Sequence, residues 1–510
     1  MKGLVVALVI PPFVSAAQGH LPAALSPAVS SYRVSAVPGA QDDNHEVHRL
    51  LIGHMVAFSP DGKHLALVTG EGTIVLIERD RVARTLETTH GRLTVAAFSS
   101  DSSMVFAGDT EGGITQWKLE GESSKPFARL MAHKGRVTSL AVSADRKFVI
   151  SVGEDRQLIL WDLIGQTKVQ SVSSHERRPS AVCFIEPGRM IVTSGYDGRV
   201  RFWSRDRLEL IGEISAHEDG VRSLAVSPDG LLLATGGGDN LVRVWEVATR
   251  TEVCVPKEHK HIVWSVQFSP LGNHLAAGGN DGVVRVWETV GWTEVQSKKG
   301  RDAAVLGVAF SPDGRTLAAV GIGRGISVGP APSRPKRDTP ELGDSAWENA
   351  WRDLAIKEAR EAFQRIPMLH SMGRESCERI LQSLFPAKDE IRAHLLKLSD
   401  EDPSVRSKAF ADLVLLGPPI VPEVEHRLKS VSDPDVASSL QLLIRDVADR
   451  MGNEGIASGN LRRLRSIWLL ERIGGSQARR ILQRIARESP SMRERMLARS
   501  ALDRPGSEEW

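Results

Sequence analysis

Two glycine-containing patterns near residue 325 have spacings that could carry chemistry. Residues 325–329 read Gly-Ile-Ser-Val-Gly, the spacing of a nucleophile elbow, in which a serine sits on a strained turn between a strand and a helix. Pro330 and a proline-rich stretch follow instead of a helix, so we interpret this serine as a strand residue. Gly321, Gly323 and Gly325 match neither the Walker loop nor the dinucleotide fingerprint, which favours a degenerate hairpin turn over a phosphate loop.

Two pairs of histidines have side chains that could ligate a metal. His259 and His261 flank a lysine, and His45 and His48 follow two aspartates. However, His259 occupies a repeated structural position, and the other pair stands in an acidic, loop-like stretch. The sequence therefore predicts no metal, no cofactor and no catalytic residues.

A strongly basic stretch spans residues 461–500. It contains eleven arginines and three glutamates, and eleven minus three gives a charge of +8. Such a charge could attract nucleic acid or an anionic lipid surface. Trp468 is its one aromatic residue, so the stretch lacks the aromatic interleaving that would support base stacking. A solvated helical face or an acidic protein partner is therefore favoured, and no nucleic-acid partner is expected.

The main signal is a histidine followed, after a nearly fixed interval, by an acidic turn and a tryptophan. From Trp161 to Trp287 the tryptophans are 42 residues apart. A period in the low forties with this signature indicates a β-propeller with one four-stranded blade per repeat. The repeated histidines are His90, His133, His175, His217 and His259, with His54 as an eroded first copy, and the tryptophans are Trp117, Trp161, Trp203, Trp245 and Trp287.

The turns between the strands support this interpretation. The sequence Ser-Pro-Asp-Gly at 227–230 favours a turn, since proline presets φ, aspartate caps the turn and glycine permits positive φ. It recurs at 59–62 and 311–314 and, in altered form, at four other places, which gives seven copies. Short apolar strands flank each copy.

At these residues the chain resembles the seven-bladed WD-repeat propellers over residues 45–329. In that family a histidine, a hydroxyl residue, the turn aspartate and the tryptophan form a hydrogen-bonded tetrad. The resemblance implies three complete tetrads, which consist of His133, Ser151, Asp155 and Trp161; His175, Thr193, Asp197 and Trp203; and His217, Thr235, Asp239 and Trp245. The other blades depart from it: the sixth has Ala277, the second Ala107 and Glu111, and the first Leu67 and Ile77.

The resemblance also implies how the ring closes and where it binds. The stretch 47–53 resembles an outer strand, and we expect it to complete the seventh blade, because an open ring would expose strand edges. Positions near the tetrad histidine and the turn acid face partners at the top of such propellers, and aromatic and arginine residues dominate interface energetics. The predicted partner-binding residues are Arg136, Glu154, Tyr196, Arg222, Trp264 and Asn280. For Trp264, packing under a loop is the alternative.

The character of the chain changes at about residue 330. Residues 330–344 form a charged, proline-rich linker, and beyond it the apolar spacing changes from 2 to roughly 3.6. This pattern predicts an all-α region at 345–503, with eight or nine helices. Asp402-Pro403 and Asp433-Pro434 favour helix starts, and the region resembles HEAT or armadillo-type helical repeats.

The N-terminus predicts export. A lysine precedes an apolar run at 4–14, and small residues follow at 15–17, which is typical of a secretory signal over residues 1–17. The run is too short to span a membrane, and no other stretch reaches the length of a span. The alternative is that this run is an irregular N-terminal segment or a first strand, in which case the protein would be cytoplasmic.

Composition adds few constraints on function. Of 510 residues, 41% are hydrophobic, which is enough for a full core, and the formal net charge is only +2. Cys183, Cys254 and Cys377 are far apart, which fits buried thiols rather than disulfides or a zinc site.

The plan of signal, propeller and helical tail resembles exported bacterial WD-repeat proteins. It predicts a non-enzymatic scaffold for protein partners, monomeric by itself. An enzyme or small-molecule binder that uses the central channel is the alternative, but no blade contains a converging set of titratable groups.

Overall fold

The computed structural model describes two long ranges, 53–332 and 349–503, and two short strands near the N-terminus. The ranges contain short gaps at 79–80, 122–123, 186–189, 257–258, 300–303, 322–325, 351–352, 355–358, 372–375, 378, 382–387, 401, 417–419, 432, 453–457 and 490–491. The chain divides into two compact units, Met1–Pro335 and Lys336–Trp510.

The first unit is a seven-bladed β-propeller, which confirms the predicted fold, and its described residues form seven antiparallel sheets. Blades one and two contain β3 (Gly53–Phe58), β4 (Leu65–Thr69), β5 (Ile74–Glu78) and β6 (Arg81–Leu86), then β7 (Leu93–Phe98), β8 (Met104–Asp109), β9 (Gly113–Lys118) and β10 (Ala128–Met131). Blades three and four contain β11 (Val137–Val142), β12 (Phe148–Gly153), β13 (Gln157–Asp162) and β14 (Thr167–Ser173), then β15 (Pro179–Ile185), β16 (Met190–Gly195), β17 (Arg199–Ser204) and β18 (Leu210–Ser215).

The remaining blades follow the same order from the inner to the outer strand. Blade five contains β19 (Val221–Val226), β20 (Leu232–Gly237), β21 (Val242–Glu246) and β22 (Thr251–Cys254), and blade six contains β23 (Val263–Phe268), β24 (His274–Gly279), β25 (Val283–Glu288) and β26 (Glu294–Lys299). Blade seven has three described strands, β27 (Val305–Phe310), β28 (Thr316–Gly321) and β29 (Ile326–Pro330).

The turns between the first and second strands form as the sequence predicts. The Ser227 hydroxyl donates to the Asp229 carboxylate at 2.5 Å, and the Leu231 and Leu232 amides donate to the two side chains. The same serine–aspartate bond recurs in blades one, two, three and seven. Gly230 has a φ of 70°, which explains the glycine at the end of the turn. The copy at 185–188 lies mostly outside the described residues.

The ring closes by apolar packing between the last blade and the first. Val56 and Leu67 of blade one share a core with Ala309, Ala318 and Val320 of blade seven. The predicted outer strand of blade seven, at 47–53, falls at 47–52 outside the described residues, and Gly53 itself begins the inner strand of blade one. Completion of the seventh blade by that segment therefore stays a prediction.

Two short strands form from the apolar N-terminal run. Strands β1 (Ala7–Ile10) and β2 (Val14–Ala17) pair with each other as a hairpin. Strand β1 also pairs with β19, with Leu8 opposite Ala225, and so extends the sheet of blade five on its inner, channel side. This pairing belongs to the full-length chain, and removal of residues 1–17 would uncover the inner edge of β19.

The second unit is all-α, as predicted. The helices are α1 (Ala359–Ser371), α2 (Lys388–Lys397), α3 (Pro403–Leu416), α4 (Val421–Leu428), α5 (Pro434–Gly452), α6 (Ser458–Ile473), α7 (Gly475–Glu488) and α8 (Met492–Asp503). Both Asp-Pro pairs start helices, and Asp402 accepts a hydrogen bond from the Ser404 amide at 2.8 Å. Helices α2 to α5 share one core that includes Leu395, Leu413 and Leu440. Within the described residues, no helix is long and apolar enough to cross a membrane.

At this level one sequence interpretation is confirmed and another is wrong in part. Ser327, the serine of the elbow-like pattern, lies inside β29 opposite Ala319, as a strand residue should. Cys183 and Cys377 are buried, but Cys254 is only half-buried, so the prediction of three buried thiols is wrong for one of them.

Candidate functional site

Blades three, four and five each contain a complete hydrogen-bonded tetrad. The histidine Nδ1 lies 2.8, 2.9 and 2.8 Å from the turn aspartate, and Nε2 lies 2.9, 2.9 and 2.8 Å from the hydroxyl oxygen. The tryptophan Nε1–H donates to that hydroxyl oxygen at 3.3, 2.9 and 3.0 Å. The twelve members of these three tetrads are the residues that the resemblance implies, from His133 in blade three to Trp245 in blade five. These networks join the loop before each inner strand to the second strand, the third strand and the turn between them, and so hold the top-end loops in place.

Electrostatics in blade five favour a neutral histidine beside a charged aspartate. Burial is the largest effect on His217 and lowers its pKa, although Asp239 opposes this shift. Burial raises the pKa of Asp239, but hydrogen bonds and charges from His217 and Arg243 outweigh it and lower the pKa to about 2. Both shifts favour a neutral imidazole hydrogen-bonded to a carboxylate, which is a structural pairing.

Blade six lacks the hydroxyl, and its network is incomplete. Ala277 stands where blade five has Thr235, and His259 bonds Asp281 at 3.2 Å. The His259 Nε2 and Trp287 Nε1 atoms are buried without a hydrogen-bond partner among the described residues. His259 is thus committed to a structural bond, and its neighbour His261 is exposed. The predicted alternative metal pair, His45 and His48, lies outside the described residues.

A threonine in place of Ala277 should stabilise the protein. Its hydroxyl would accept from Trp287 and donate to His259, which satisfies two buried groups, for a gain of about 1 kcal/mol in the free energy of unfolding. Urea denaturation of the full chain measures this gain. The matched control, Thr235→Ala in blade five, should lose a similar amount, and a loss of stability in Ala277→Thr would contradict the argument.

Blade two replaces the tetrad with an ion pair that the sequence analysis missed. His90 is exposed, and Asp109 is fully buried at the position that is glycine in blades three to six. The Asp109 carboxylate accepts from Arg129 at 2.7 Å and from the Glu111 and Gly113 amides. The turn acid Glu111 is 57% exposed and lies 3.6 Å from Arg129. The signal in the sequence was the missing glycine at 109, rather than the acid at 111.

Inner strands of all seven blades carry an irregularity at the same place near the top end. The register shifts there by one residue, and the extra residues are His54, Thr94, Thr138, Ser180, Arg222, Trp264 and Leu306. Such bulges re-aim side chains at functional rims. In blades two and three the threonine hydroxyls bond backbone carbonyls. Arg222 and Trp264, two of the predicted partner-binding residues, are the large members of this set.

Four predicted top-face residues and one missed residue form an arginine–tyrosine cluster, namely Arg136, Glu154, Arg178, Tyr196 and Arg222. The Arg178 guanidinium donates to the Tyr196 hydroxyl at 2.9 Å and lies 3.4 Å from Glu154. The Arg222 and Arg178 guanidinium carbons lie 4.0 and 4.6 Å from the centroid of the Tyr196 ring. Burial, together with the charge of Arg178, lowers the pKa of Arg136.

Arg178 could have been found from the sequence. It follows His175 by three residues, just as Arg136 follows His133. The two other predicted residues stand one blade further round the ring, in blade six. Trp264 is half-buried, its Nε1 atom has no hydrogen-bond partner among the described residues, and Asn280 is exposed. No group of three or more metal-binding side chains occurs in the described part of the chain.

Some arginines of the basic stretch 461–500 are buried, so the prediction that this stretch forms a solvated face is wrong for them. Arg463 is buried and donates to both carboxylate oxygens of Glu494 at 2.9 and 3.0 Å. The buried Arg465 donates to the Leu354 carbonyl at 2.7 Å, and the guanidinium of Arg472 lies 4.8 Å from the Trp468 ring. These arginines hold helices together, and they are not free to bind an anionic partner.

Comparison with known families agrees with this geometry. Five segments match the model of the WD domain, G-beta repeat, at residues 124–162, 166–204, 208–246, 250–288 and 292–328. The chain contains WD40 repeats. The matched segments cover the part of the WD40 propeller in which the tetrads are best preserved, and the blade-two segment with Asp109 precedes them.

The chain is similar, over about a quarter of its length, to parts of several curated proteins. The 66 kDa stress protein of Physarum polycephalum is 28% identical over 124 residues, 24% of this chain and 20% of that protein. UBP9-binding protein bun62 of Schizosaccharomyces pombe is 31% identical over 135 residues, 25% of this chain and 23% of that protein. Protein FIZZY-RELATED 2 of Arabidopsis thaliana is 27% identical over 129 residues, 25% of this chain and 26% of that protein.

These relatives limit what similarity implies. The chain spans about a quarter or less of the length of each, so their activities do not transfer as findings. All three are eukaryotic proteins, and they give no support to the resemblance to exported bacterial proteins. WD40 propellers generally mediate protein–protein interactions, and that coarse statement is the one the comparisons support.

Proposed function

We propose that this protein is a non-enzymatic scaffold whose WD40 propeller binds a partner protein at its top end. The observation that carries the proposal is the concentration of interface-forming residues there, the arginine–tyrosine cluster together with Trp264. Tyrosine, tryptophan and arginine are the side chains that most often dominate binding energy. The tetrads beneath them fix the loops, which keeps the entropy lost on binding low. The helical unit offers a second surface, as helical repeats commonly do.

Similarity to the relatives supports a binding role in general terms. The name of UBP9-binding protein bun62 states a binding activity for that protein. For this chain the partner is expected to be a protein, and the top-end residues are the surface to test.

Truncation of Trp264 should weaken partner binding by about thirtyfold, or 2 kcal/mol, as expected for a central anchor. Partners are first captured from the native host with the full chain, and their affinities are then measured for Trp264→Ala and Arg222→Ala. Arg480→Ala, an exposed arginine on α7, is the control in the helical unit. Unchanged affinity in both propeller variants with loss in Arg480→Ala would move the interaction surface to the helical unit.

We also propose that residues 1–17 direct export and are then removed. The support is the lysine, the apolar run and the small residues at 15–17. The mature chain is expected to begin at Ala17 or Gln18, and Leu8→Arg should remain unprocessed in the cytosol because it places a charge in the apolar run. Mass spectrometry of cell fractions measures both. Wild-type protein with residue 1 or 2 intact in the cytosol would remove the export proposal.

A further inference from the structure

We propose that the arginine–tyrosine cluster is a receptor for an anionic group, a carboxylate or a phosphate, on an acidic segment of the partner protein. This proposal rests on the top-end binding function above and specifies its ligand chemistry. Three adjacent blades each place one guanidinium at the cluster: Arg136 from blade three, Arg178 from blade four and Arg222 from blade five.

The arginine of blade five reaches the cluster by a different route from the other two. Arg136 and Arg178 stand three residues after their tetrad histidines, and the corresponding residue of blade five is Gly220. Arg222 stands two residues later, at the bulge of β19. A Cβ atom at Gly220 would lie only 3.0 Å from the Arg222 Nη1 atom, so the absence of a side chain lets this guanidinium lie against the backbone. The third positive charge is thereby restored beside Tyr196.

The cluster holds more positive than negative charge. Three guanidinium groups face Glu154, which lies 3.4 Å from Arg178, and Asp219, whose charge acts on Arg222. Three positive charges minus two negative charges give these five groups a net charge of +1. The guanidiniums of Arg178 and Arg222 both lie over the Tyr196 ring, and Arg178 also donates to the Tyr196 hydroxyl.

Hydrogen-bond donors at this site lack partners within the described structure. The Nε and Nη1 atoms of Arg222 are both buried and unbonded there. A buried donor without a partner costs about 1–3 kcal/mol, and a ligand that satisfies it recovers that energy on binding. Nε and Nη1 lie on different edges of the planar guanidinium, so these two donors need separate acceptor oxygens, and a carboxylate or a phosphate carries more than one. Contacts with Tyr196 hold the Arg178 and Arg222 guanidiniums in place before the ligand binds.

A labelled-peptide experiment with the full chain tests this receptor. Three 13-residue fluorescein peptides are used as probes: one neutral and rich in glycine and serine, one with three central glutamates, and one with a central phosphoserine. Fluorescence anisotropy is measured at two salt concentrations. The glutamate or phosphoserine peptide should bind at least about tenfold more tightly than the neutral one, the factor that 1.4 kcal/mol provides. Preference between the two acidic peptides decides whether the ligand is a carboxylate or a phosphate.

Variants then locate the binding. Arg178→Gln and Arg222→Gln should each weaken acidic-peptide binding at least about tenfold, since each removes charge-assisted hydrogen bonds. Arg207→Gln is the matched control, because its side chain is 78% exposed in a turn at the opposite end of blade four. It should bind within about twofold of the parent, and unchanged melting curves establish that all three variants are folded.

Three results would overturn the proposal. They are equal binding of acidic and neutral peptides by the parent, parental affinity in both arginine variants, and tighter binding of single-stranded DNA than of either acidic peptide. If any of these occurs while Trp264→Ala still abolishes partner capture, the top-end binding function stands and only its anionic ligand is wrong. Loss of both dependences would remove the binding function itself.

Discussion

Replacing Asp239 by alanine is expected to destabilise the propeller by about 3 kcal/mol, within the range for breaking a buried ion pair. Asp239 accepts from His217 at 2.8 Å and from Arg243 at 2.7 Å, and it also accepts from the Leu241 amide at 3.3 Å. The alanine variant leaves the buried His217 N–H and the Arg243 guanidinium without this acceptor. Urea denaturation of the full chain, followed by tryptophan fluorescence, measures the loss.

Glu111→Ala is the comparison variant, because Glu111 holds the equivalent turn position in blade two. It is 57% exposed and contacts Arg129 only at 3.6 Å, so its loss should be below about 0.5 kcal/mol. Equal losses in the two variants would show that the Asp239 carboxylate contributes no more to stability than the exposed Glu111 carboxylate. They would also contradict the network described for blade five.

The difference between parent and Asp239→Ala should also depend on pH. The pKa of Asp239 is about 2 in the folded protein, below the ordinary aspartate value of about 3.9 in an unfolded chain. A lowered carboxyl pKa stabilises the folded state above about pH 4, and this contribution is lost as the pH falls toward 2. The gap between parent and variant should therefore narrow over that window. A gap that stays constant from pH 6 to pH 3 would count against the ionised pair.

Much of the fold could be predicted because the strands and turns of each blade depend on residue patterns within a single repeat. The 42-residue tryptophan spacing sets the blade, and the Ser-Pro-Asp-Gly turns set the ends of its first two strands. Both depend only on neighbours within one repeat. Closure of the ring is a long-range property, and the packing of Val56 against Ala309 joins residues at opposite ends of the propeller sequence. Local patterns indicate that it must occur but not which side chains provide it.

The features that the sequence did not predict involve residues that take over a structural role from a different position in the repeat or on another helix. In blade two, Asp109 takes over from the tetrad histidine although it stands at a different position of the repeat. In α6, the apolar positions Leu464 and Ile467 predict a buried face, and the neighbouring arginines are expected in solvent. Arg463 is nevertheless buried, because Glu494, 31 residues away on α8, supplies both acceptor oxygens. A charged side chain can be buried when its partner comes from another helix, and helical periodicity does not contain that information.

The glycine beside each tetrad histidine is a further example, and it yields the largest expected effect. Gly237 ends the second strand of blade five, where a Cβ atom would lie 2.1 Å from His217 Nδ1 and 2.2 Å from Asp239 Oδ1. Glycines 153, 195 and 279 stand at the same position, with the nearest histidine atoms at 2.6, 2.7 and 2.8 Å. The position is glycine because the imidazole occupies the space of a side chain, and in blade two, where His90 is exposed, Asp109 fills that space.

Gly237→Ala should therefore cost more than loss of the aspartate alone, about 4 kcal/mol or more. The methyl group must displace His217, which separates the imidazole from both Asp239 and Thr235. Gly165→Ala is the control, because its nearest neighbour is the Thr167 hydroxyl at 3.3 Å in an exposed turn of blade three. That variant should change the free energy of unfolding by less than about 0.5 kcal/mol. If Gly237→Ala unfolds like the parent, blade five tolerates displacement of its histidine, and the tetrad is not what holds the top end of β19, where Arg222 stands.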